Sequence, residues 1–282
     1  MQLAFLLYNT PNNTPKRPNI YLEKYCASGN DFLITHHLKP TNRQALAKEL
    51  CARHYGFGAD GLVVLLPHPE YAYTWEFYNA DGSLANMCGN ASRCVGLYAY
   101  LQGIAPKKHC FLSGAGAIGV EVLEVEERGG VVQSNLGSPK WLEHLEIEGQ
   151  EWALIDSGVP HLVHFVDHVS ALPQAKTPAM QALRQQFNAN VNYAYVESPA
   201  KIHLATYERG VEDITLACGT GMAAVFVAAQ QRGAKPKAYC IPPSGEVLNL
   251  SLEGKNVLFS GAVKRVGAVS LNAFIDYCHA LC

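Results

Sequence analysis

The sequence has little charge, and neither sign dominates. Only 16% of its 282 residues are charged, the formal net charge is −2, and the isoelectric point is about 6.6. Proteins that bind nucleic acid need a surplus of Lys and Arg to neutralise phosphates. We therefore expect no nucleic-acid partner.

Long hydrophobic runs and secretion signals are also missing. The longest apolar runs are far too short to span a bilayer, so we expect no membrane partner. The apolar residues 1–8 lack the basic start and small-residue cleavage site of a signal peptide. Nine cysteines, an odd number in a chain this long, do not resemble a disulfide scaffold. The cytoplasm, which keeps thiols reduced, is the expected compartment.

The most informative segment that is present begins at Cys218. This cysteine precedes Gly219-Thr220-Gly221 and a run, 222–229, in which every residue is apolar. A helix that is apolar on all sides is a buried helix, and Gly233 is a natural residue to end it. We therefore predict Cys218 at a helix N-terminus, where free N–H groups favour a thiolate or a bound carboxylate. A single cysteine is more often just a small buried side chain.

A second copy of this feature weakens that plainer interpretation. Cys88 opens another apolar run, and both cysteines stand fifteen residues before a glycine, Gly103 or Gly233. About sixty residues before each cysteine stands a Ser-Gly pair, at 28–29 and at 157–158. A duplication with a period of about 130 residues is too long for a solenoid repeat and predicts two similar domains. If these pack with pseudo-two-fold symmetry, the two cysteines face each other across one cleft.

Short strands dominate the rest of the chain. Thr41 is predicted to cap a helix that continues to about His54, and another helix is expected around 179–187. Residues 9–19 are predicted to form a loose leader, and the tail to Cys282 a helix. Strand patterns occur near 20–25, 30–35, 62–66, 75–78, 110–136, 152–155, 161–166, 191–196 and 201–207, with three or four more strands to about residue 271. Strand-rich halves with few helices favour an α+β fold over a doubly wound one.

Two thiols in one cleft are compatible with several chemistries. Redox pairs usually occur as Cys-x-x-Cys, whereas these cysteines are about 130 residues apart. A cysteine hydrolase gives no reason for a second matched thiol. Metal ligation by His161, His164 and His168 lacks a recognised zinc spacing. Two-base racemisation requires both thiols, since one removes a proton from a carbon and the other delivers a proton to its opposite face.

An ordered set of short motifs runs from about residue 20 to 270. It comprises Gly29-Asn30-Asp31-Phe32, Arg53-His54-Tyr55-Gly56, Gly58-Ala59-Asp60, Phe77-Tyr78-Asn79-Ala80-Asp81-Gly82, Cys88-Gly89-Asn90, Pro160-His161, Asn190-Val191-Asn192, Tyr207-Glu208-Arg209-Gly210 and Cys218-Gly219-Thr220-Gly221. This set resembles the diaminopimelate epimerase family.

The resemblance implies both a fold and an activity. The fold is α+β (mixed α/β), with two pseudo-symmetric domains that each wrap a mostly antiparallel sheet around a central buried helix. The domains are expected at 1–131 and 132–263, with 264–282 returning to the first. The implied activity converts LL-2,6-diaminoheptanedioate, a small amino-acid substrate, to the meso form on the route to lysine and peptidoglycan. The family also implies no cofactor, no metal and a homodimer.

Roles for individual residues follow from the resemblance alone. Cys88 and Cys218 resemble the two catalytic acid/base residues, and His161 and Glu208 resemble residues that adjust their protonation. The main-chain N–H groups expected to hold the reacting carboxylate belong to Gly89, Asn90, Gly219 and Thr220. The side chains expected to hold the amino groups and the distal carboxylate belong to Asn30, Asn79, Asn190, Glu208 and Arg209.

Three positions depart from the family pattern, and they affect the expected substrate contacts. Gly61 stands where the family often has Gln, Val159 where it often has Asn, and Ala91 where Gly is usual. The alternative within the same superfamily is a proline or hydroxyproline racemase or epimerase, whose substrates would leave Arg209 and Asn79 without a partner. A non-catalytic small-molecule binding protein would need neither thiol.

Overall fold

The computed structural model describes residues 19–37 and 39–272. Residues 9–18 of the predicted leader and the predicted helical tail lie outside this part of the chain. None of the helices in the described part has both the length and the apolar composition that a membrane crossing requires.

Sixteen strands and four α-helices occupy the described residues. The strands are β1 (Asn19–Ala27), β2 (Asn30–His36), β3 (Gly61–Leu66), β4 (Thr74–Asn79), β5 (Lys108–Ser113), β6 (Gly116–Glu126), β7 (Gly129–Asn135), β8 (Lys140–Ile147), β9 (Gln150–Asp156), β10 (Pro160–Phe165), β11 (Asn190–Ser198), β12 (Lys201–Glu208), β13 (Asp213–Ile214), β14 (Lys237–Ile241), β15 (Leu248–Glu253) and β16 (Asn256–Asn272). The helices are α1 (Gln44–Cys51), α2 (Gly89–Leu101), α3 (Pro178–Phe187) and α4 (Gly219–Gln230).

The strands form two barrel-like units that share β16. In the first unit, strands β1 to β7 pair in chain order, β7 pairs with β16, and β16 pairs with β1 to close the barrel. In the second unit the order is β16-β15-β14-β12-β11-β10-β9-β8. Residues 264–272 of β16 pair with β1, and residues 256–260 pair with β15. The domain boundaries at 131 and 263 stay a prediction, since β16 belongs to both sheets.

The same order of pairings appears in both units. In the first unit the pairings alternate: β1–β2 is antiparallel, β2–β3 parallel, β3–β4 antiparallel and β4–β5 parallel. The second unit repeats these directions in the same order, in the pairs β9–β10, β10–β11, β11–β12 and β12–β14. Each parallel pair needs a long crossover. Helices α1 and α3 lie in the first crossover of each unit, and α2 and α4 lie in the second. The topology therefore repeats, as the spacing of the two cysteines predicts.

The second-crossover helices fill the barrels. Every residue of α2 from Gly89 to Ala99 is buried, and α4 is buried along most of its length, including Phe226 at the centre of its unit. Helices α1 and α3 bury only one side, against the outer faces of the sheets. The arrangement is the predicted α+β fold, with mostly antiparallel sheets wrapped around central helices.

Two local predictions are corrected by tertiary contacts. Helix α1 starts at Gln44 rather than after Thr41, it ends at Cys51 rather than near His54, and its N-cap residue Arg43 makes no side-chain capping hydrogen bond. The Thr41 carbonyl accepts hydrogen bonds from the fully buried Arg43 and from the Tyr78 hydroxyl, which holds this segment against β4. Strand β8 has no counterpart among the predicted strands, because its mixed exposed and half-buried positions leave no clear apolar face.

Candidate active site

The two cysteines occupy the same position in the two units. Cys88 is the N-cap of α2 and Cys218 is the N-cap of α4, both with extended backbone. The Gly221 N–H donates to the Cys218 sulfur at 3.4 Å. Cys218 is buried and Cys88 is partly buried. Each thiol thus lies at the positive end of a buried helix.

The two helix N-termini touch each other. A Cβ atom built on Gly219 would lie 3.5 Å from the Gly89 Cα, and also 3.5 Å from the Phe259 ring. These are ordinary contact distances, so the two helix ends lie directly against each other. Two sets of free N–H groups therefore converge on one place, which favours a bound carboxylate.

Burial has the largest effect on the protonation of both thiols. Burial raises the pKa of Cys88 to about 11, and the N–H groups of Ala91 and Asn90 only partly offset this. Burial also raises the pKa of Cys218, helped by nearby Glu208 and Cys88 and opposed by Thr220 and Gly221. The helix N-termini favour thiolates, as predicted from the sequence, but loss of hydration outweighs them.

His161 contacts the Cys218 side of the site through Thr220. The fully buried imidazole lies 3.0 Å from the Thr220 hydroxyl through Nε2, and that hydroxyl lies 3.5 Å from the Cys218 sulfur. Burial lowers the pKa of His161 to about 3, and the Arg209 guanidinium adds to the effect. His161 is therefore neutral, and it does not contact the thiol directly.

Glu208 lies at the end of β12, beside both thiols. Burial raises the pKa of its carboxyl group, and its charge in turn raises the pKa values of Cys88 and Cys218. The structure thus places Glu208 where its protonation and that of the cysteines depend on each other.

A chain of polar side chains supports the N-terminus of α2. Arg93 donates to the Asn90 side-chain oxygen at 2.7 Å, Asn90 donates to Asn30 at 2.7 Å, and Asn30 donates to Asp60 at 3.1 Å. Arg93 is fully buried and also donates to Ser28 at 2.8 Å. The amides of Asn30 and Asn90 are thereby held in place.

The remaining predicted substrate contacts lie at strand ends and in the turn after β12. The Asn190 side-chain oxygen accepts from the Arg209 backbone N–H at 2.7 Å, and the Arg209 guanidinium donates to the Asn188 carbonyl at 2.9 Å. Asn79 is exposed and donates to Ser83 at 3.0 Å. The turn-forming role that asparagines commonly have is thus visible at Asn79, and the role of each residue toward substrate stays a prediction.

Gly61 has a structural reason to be glycine. A Cβ atom at this position would lie 2.7 Å from both the Phe77 ring and the Tyr78 carbonyl oxygen. A glutamine cannot be accommodated here without moving β4, so any contact made by the family's usual Gln is absent at this position.

Residues to which the sequence analysis gave no role surround both helix starts, although Asp60 and Asn192 belong to the motifs quoted above. Arg93, Asp60, Asn192 and Thr206 hold the side chains described above in position. Arg93 had one available signal, since it is a charged residue inside an otherwise buried helix. Within residues 19–37 and 39–272, no three His, Cys, Asp or Glu side chains gather in a way that could hold a metal ion.

Comparisons with known proteins agree on a family. The model of the diaminopimelate epimerase family matches residues 22–142 and 153–266. A diaminopimelate epimerase of Helicobacter pylori strain HPAG1 is 50% identical over 259 residues, which cover 86% of this chain and 93% of the relative. Another diaminopimelate epimerase, from a Nitratiruptor species, is 49% identical over 247 residues, covering 87% and 96%.

Solved structures with low sequence identity share the fold. A PhzF-family phenazine biosynthesis protein of Bacillus anthracis has a TM-score of 0.69 at 10% identity, covering 90% of this chain and 99% of that one. A probable proline racemase from Agrobacterium radiobacter has a TM-score of 0.66 at 15% identity, covering 93% and 98%. At such low identities these structures show only a shared architecture. The family match and the close relatives, in contrast, span nearly the whole described chain. The paired cysteines, the repeated topology and these matches together place the chain in the diaminopimelate epimerase family.

Proposed function

We propose that the protein interconverts the LL and meso isomers of 2,6-diaminoheptanedioate, using Cys88 and Cys218 as its two acid/base groups. In one direction, one cysteine as thiolate takes the α-proton and becomes a thiol. The electron pair of the broken C–H bond remains on the substrate, delocalised into the carboxylate. The other cysteine, as thiol, gives its proton to the opposite face of that carbon and becomes the thiolate. No electrons leave the substrate, so the step needs no oxidant or reductant.

The observation that carries this proposal is the meeting of two equivalent helix N-termini, each capped by a cysteine. An α-proton of an amino acid is very weakly acidic, so the negative charge that develops on the carboxylate needs strong stabilisation. In this proposal the N–H groups of Gly89 and Asn90 on one side, and of Gly219 and Thr220 on the other, provide it. Such prearranged donors act most strongly where water is excluded.

The remaining predicted contacts give the second amino-carboxylate of the substrate its partners. Arg209 offers a planar, paired donor set suited to the distal carboxylate. Asn30, Asn79, Asn190 and Glu208 hold the amino groups. Proline-type substrates have no second amino-carboxylate, so this part of the site distinguishes the two classes of substrate.

We also propose that the protein acts as a homodimer in the cytoplasm. The homodimer is the family expectation, and the cytoplasm keeps both catalytic thiols reduced. Light scattering coupled to size exclusion measures the mass directly. A mass near 31 kDa rather than twice that value would contradict the dimer, given the chain mass of 30.7 kDa.

The test of the reaction uses purified protein, the LL isomer, and no added cofactor. We expect meso product, and in heavy water the early product should carry deuterium at the inverted carbon while unreacted substrate carries little. Proline and lysine serve as control substrates and should be turned over very poorly. Absence of meso product from folded, reduced protein would contradict the proposal, as would turnover of proline at a comparable rate.

A further inference from the structure

His161 is enclosed by amide side chains whose orientations are fixed. The Asn192 amide nitrogen donates to the Leu162 carbonyl at 2.8 Å, and its oxygen accepts from the Thr206 hydroxyl at 2.8 Å. Turning this amide over would set two oxygens against each other at the Leu162 carbonyl. Asn192 therefore presents its NH2 group, and not its oxygen, to the His161 Nδ1 at 3.1 Å.

This orientation determines where the imidazole carries its hydrogen. A ring nitrogen that accepts from an NH2 donor is the unprotonated nitrogen of a neutral imidazole. Amide nitrogens lie near both ring nitrogens, that of Asn192 at Nδ1 and that of Asn190 3.3 Å from Nε2, but Nε2 also faces the Thr220 hydroxyl, which can accept a hydrogen. Both ring nitrogens find a suitable partner when Nδ1 accepts from Asn192 and the hydrogen lies on Nε2. Because Asn192 and His161 are both fully buried, no water competes with this assignment. The Nε2–H then donates to the Thr220 hydroxyl oxygen, 3.0 Å away.

The tautomer in turn determines what Thr220 can do. A hydroxyl has one hydrogen to donate. If Nε2 were unprotonated, Thr220 would donate to it and would have no hydrogen for the sulfur. With Nε2 protonated, the Thr220 hydrogen is free to point at the Cys218 sulfur, 3.5 Å away. Hydrogen bonds to an ionised group favour the ionised form.

We propose that Asn192 is a positioning residue, which holds His161 in the Nε2–H tautomer so that the Thr220 hydroxyl donates to the Cys218 thiolate. This inference deepens the proposed function, since it concerns one of the two acid/base groups, and it acts through His161 and Thr220 rather than on the substrate. The groups facing Cys218 are Glu208 on β12, Cys88 on α2, and the Gly221 N–H. Arg209 is the charged group that acts on His161.

One unit only contains this arrangement. The residue equivalent to Thr220 is Asn90, two positions after its own cysteine, and its side chain is bound to Arg93 and Asn30 instead. Cys88 therefore serves as an internal control in every experiment on Cys218. The asymmetry also separates this inference from the proposed reaction, because neither the tautomer nor the alkylation rate of a thiol requires turnover.

The first experiment reads the tautomer in the wild-type protein. Nitrogen-15 NMR of protein labelled at histidine distinguishes a protonated from an unprotonated ring nitrogen. The His161 signals are assigned by their loss in a His161→Asn variant, since the chain has 11 histidines. We expect a proton on Nε2 and none on Nδ1 at neutral pH. A proton on Nδ1 would overturn the proposal without any substitution near the site.

The second experiment separates the orientation of Asn192 from the stability of its surroundings. Asn192→Leu removes the NH2 group that faces Nδ1, and the Asn190 amide nitrogen, 3.3 Å from Nε2, is then the nearest amide donor to the ring. We expect the hydrogen to move to Nδ1. The matched control is Thr206→Val, which removes the hydroxyl behind Asn192 but leaves its bond to the Leu162 carbonyl, so the tautomer should not change. Retention of the Nε2–H tautomer in Asn192→Leu would contradict the proposal.

The third experiment measures the thiol itself. Alkylation of Cys218 and Cys88 by iodoacetamide, at low conversion and followed by peptide mass spectrometry, reports the thiolate fraction of each. Thr220→Val and Asn192→Leu should each slow Cys218 by about tenfold at a fixed pH, equivalent to one pKa unit, and should leave Cys88 within about twofold. Thr220→Ser should restore the rate. If the rate of Cys218 alkylation is unchanged in both Thr220→Val and Asn192→Leu, the role assigned to the hydroxyl is refuted.

Discussion

Replacing Gly221 by alanine tests the packing beneath the Cys218 helix. Gly221 is the third residue of α4 and lies directly over the Asn192–Thr206 pair. A Cβ atom here would lie 2.7 Å from the Asn192 side-chain oxygen and 2.8 Å from the Thr206 hydroxyl oxygen. Both distances are shorter than real Cβ contacts, so at least one of these buried side chains must move.

The size of the effect follows from two opposing terms. Alanine in place of glycine inside a helix stabilises by up to ~1 kcal/mol. Overpacking of a well-packed core costs about 1–3 kcal/mol, and displacing the Thr206–Asn192 hydrogen bond adds about 1 kcal/mol. We expect Gly221→Ala to lower the free energy of unfolding by about 1–3 kcal/mol in total.

Gly96→Ala is the matched control. Gly96 lies within α2, the equivalent helix of the first unit, and its Cβ would meet the Val120 and Val132 side chains at 3.4 Å. This is close contact without overlap, so the helix-propensity gain is retained and the variant should lie within about 1 kcal/mol of wild type. Urea unfolding of both variants measures the difference. If Gly221→Ala is as stable as Gly96→Ala, the packing argument is wrong.

Three further predictions concern the thiols and the substrate. Cys88→Ala and Cys218→Ala should each abolish epimerisation. Serine at either position should leave at most faint activity, because a hydroxyl is a far weaker acid than a thiol. Near-normal turnover by either alanine variant would contradict the two-base mechanism. Arg209→Lys should weaken binding of the substrate by about 1–3 kcal/mol, because paired, charge-assisted hydrogen bonds are lost. The measurement is a rise in KM. An unchanged KM would contradict the proposed contact between Arg209 and the distal carboxylate. Burial raises the pKa of Cys88 to about 11 and of Cys51 to about 12 from an ordinary value of 9.0, so the folded state holds these protons more tightly than the unfolded state. The free energy of unfolding should therefore be at its full value below pH 9 and fall as pH rises through 11. A melting temperature that stays level over this range would contradict the argument.

Local patterns in the sequence were enough to predict the two central helices. An apolar run on all sides of a helix requires burial, and glycines at 103 and 233 adopt the positive φ values that end helices. The equal spacing of these features revealed the duplication, and the repeated order of strand pairings confirms it. Short motifs in a fixed order identified the family, because each motif lies at a turn, a strand end or a helix start, where the chemistry is local.

Only the tertiary structure decided which polar groups meet and in which direction they bond. Asn30 and Asp60 are 30 residues apart, and Asn30 and Asn90 are 60 residues apart, yet the sheet order brings them together. The orientation of the Asn192 amide, and with it the tautomer of His161, depends on a carbonyl and a hydroxyl from neighbouring strands. The thiol pKa values show the same limit. The sequence correctly places each cysteine at a helix N-terminus, but the loss of hydration that outweighs the helix dipole arises only when both barrels close around it.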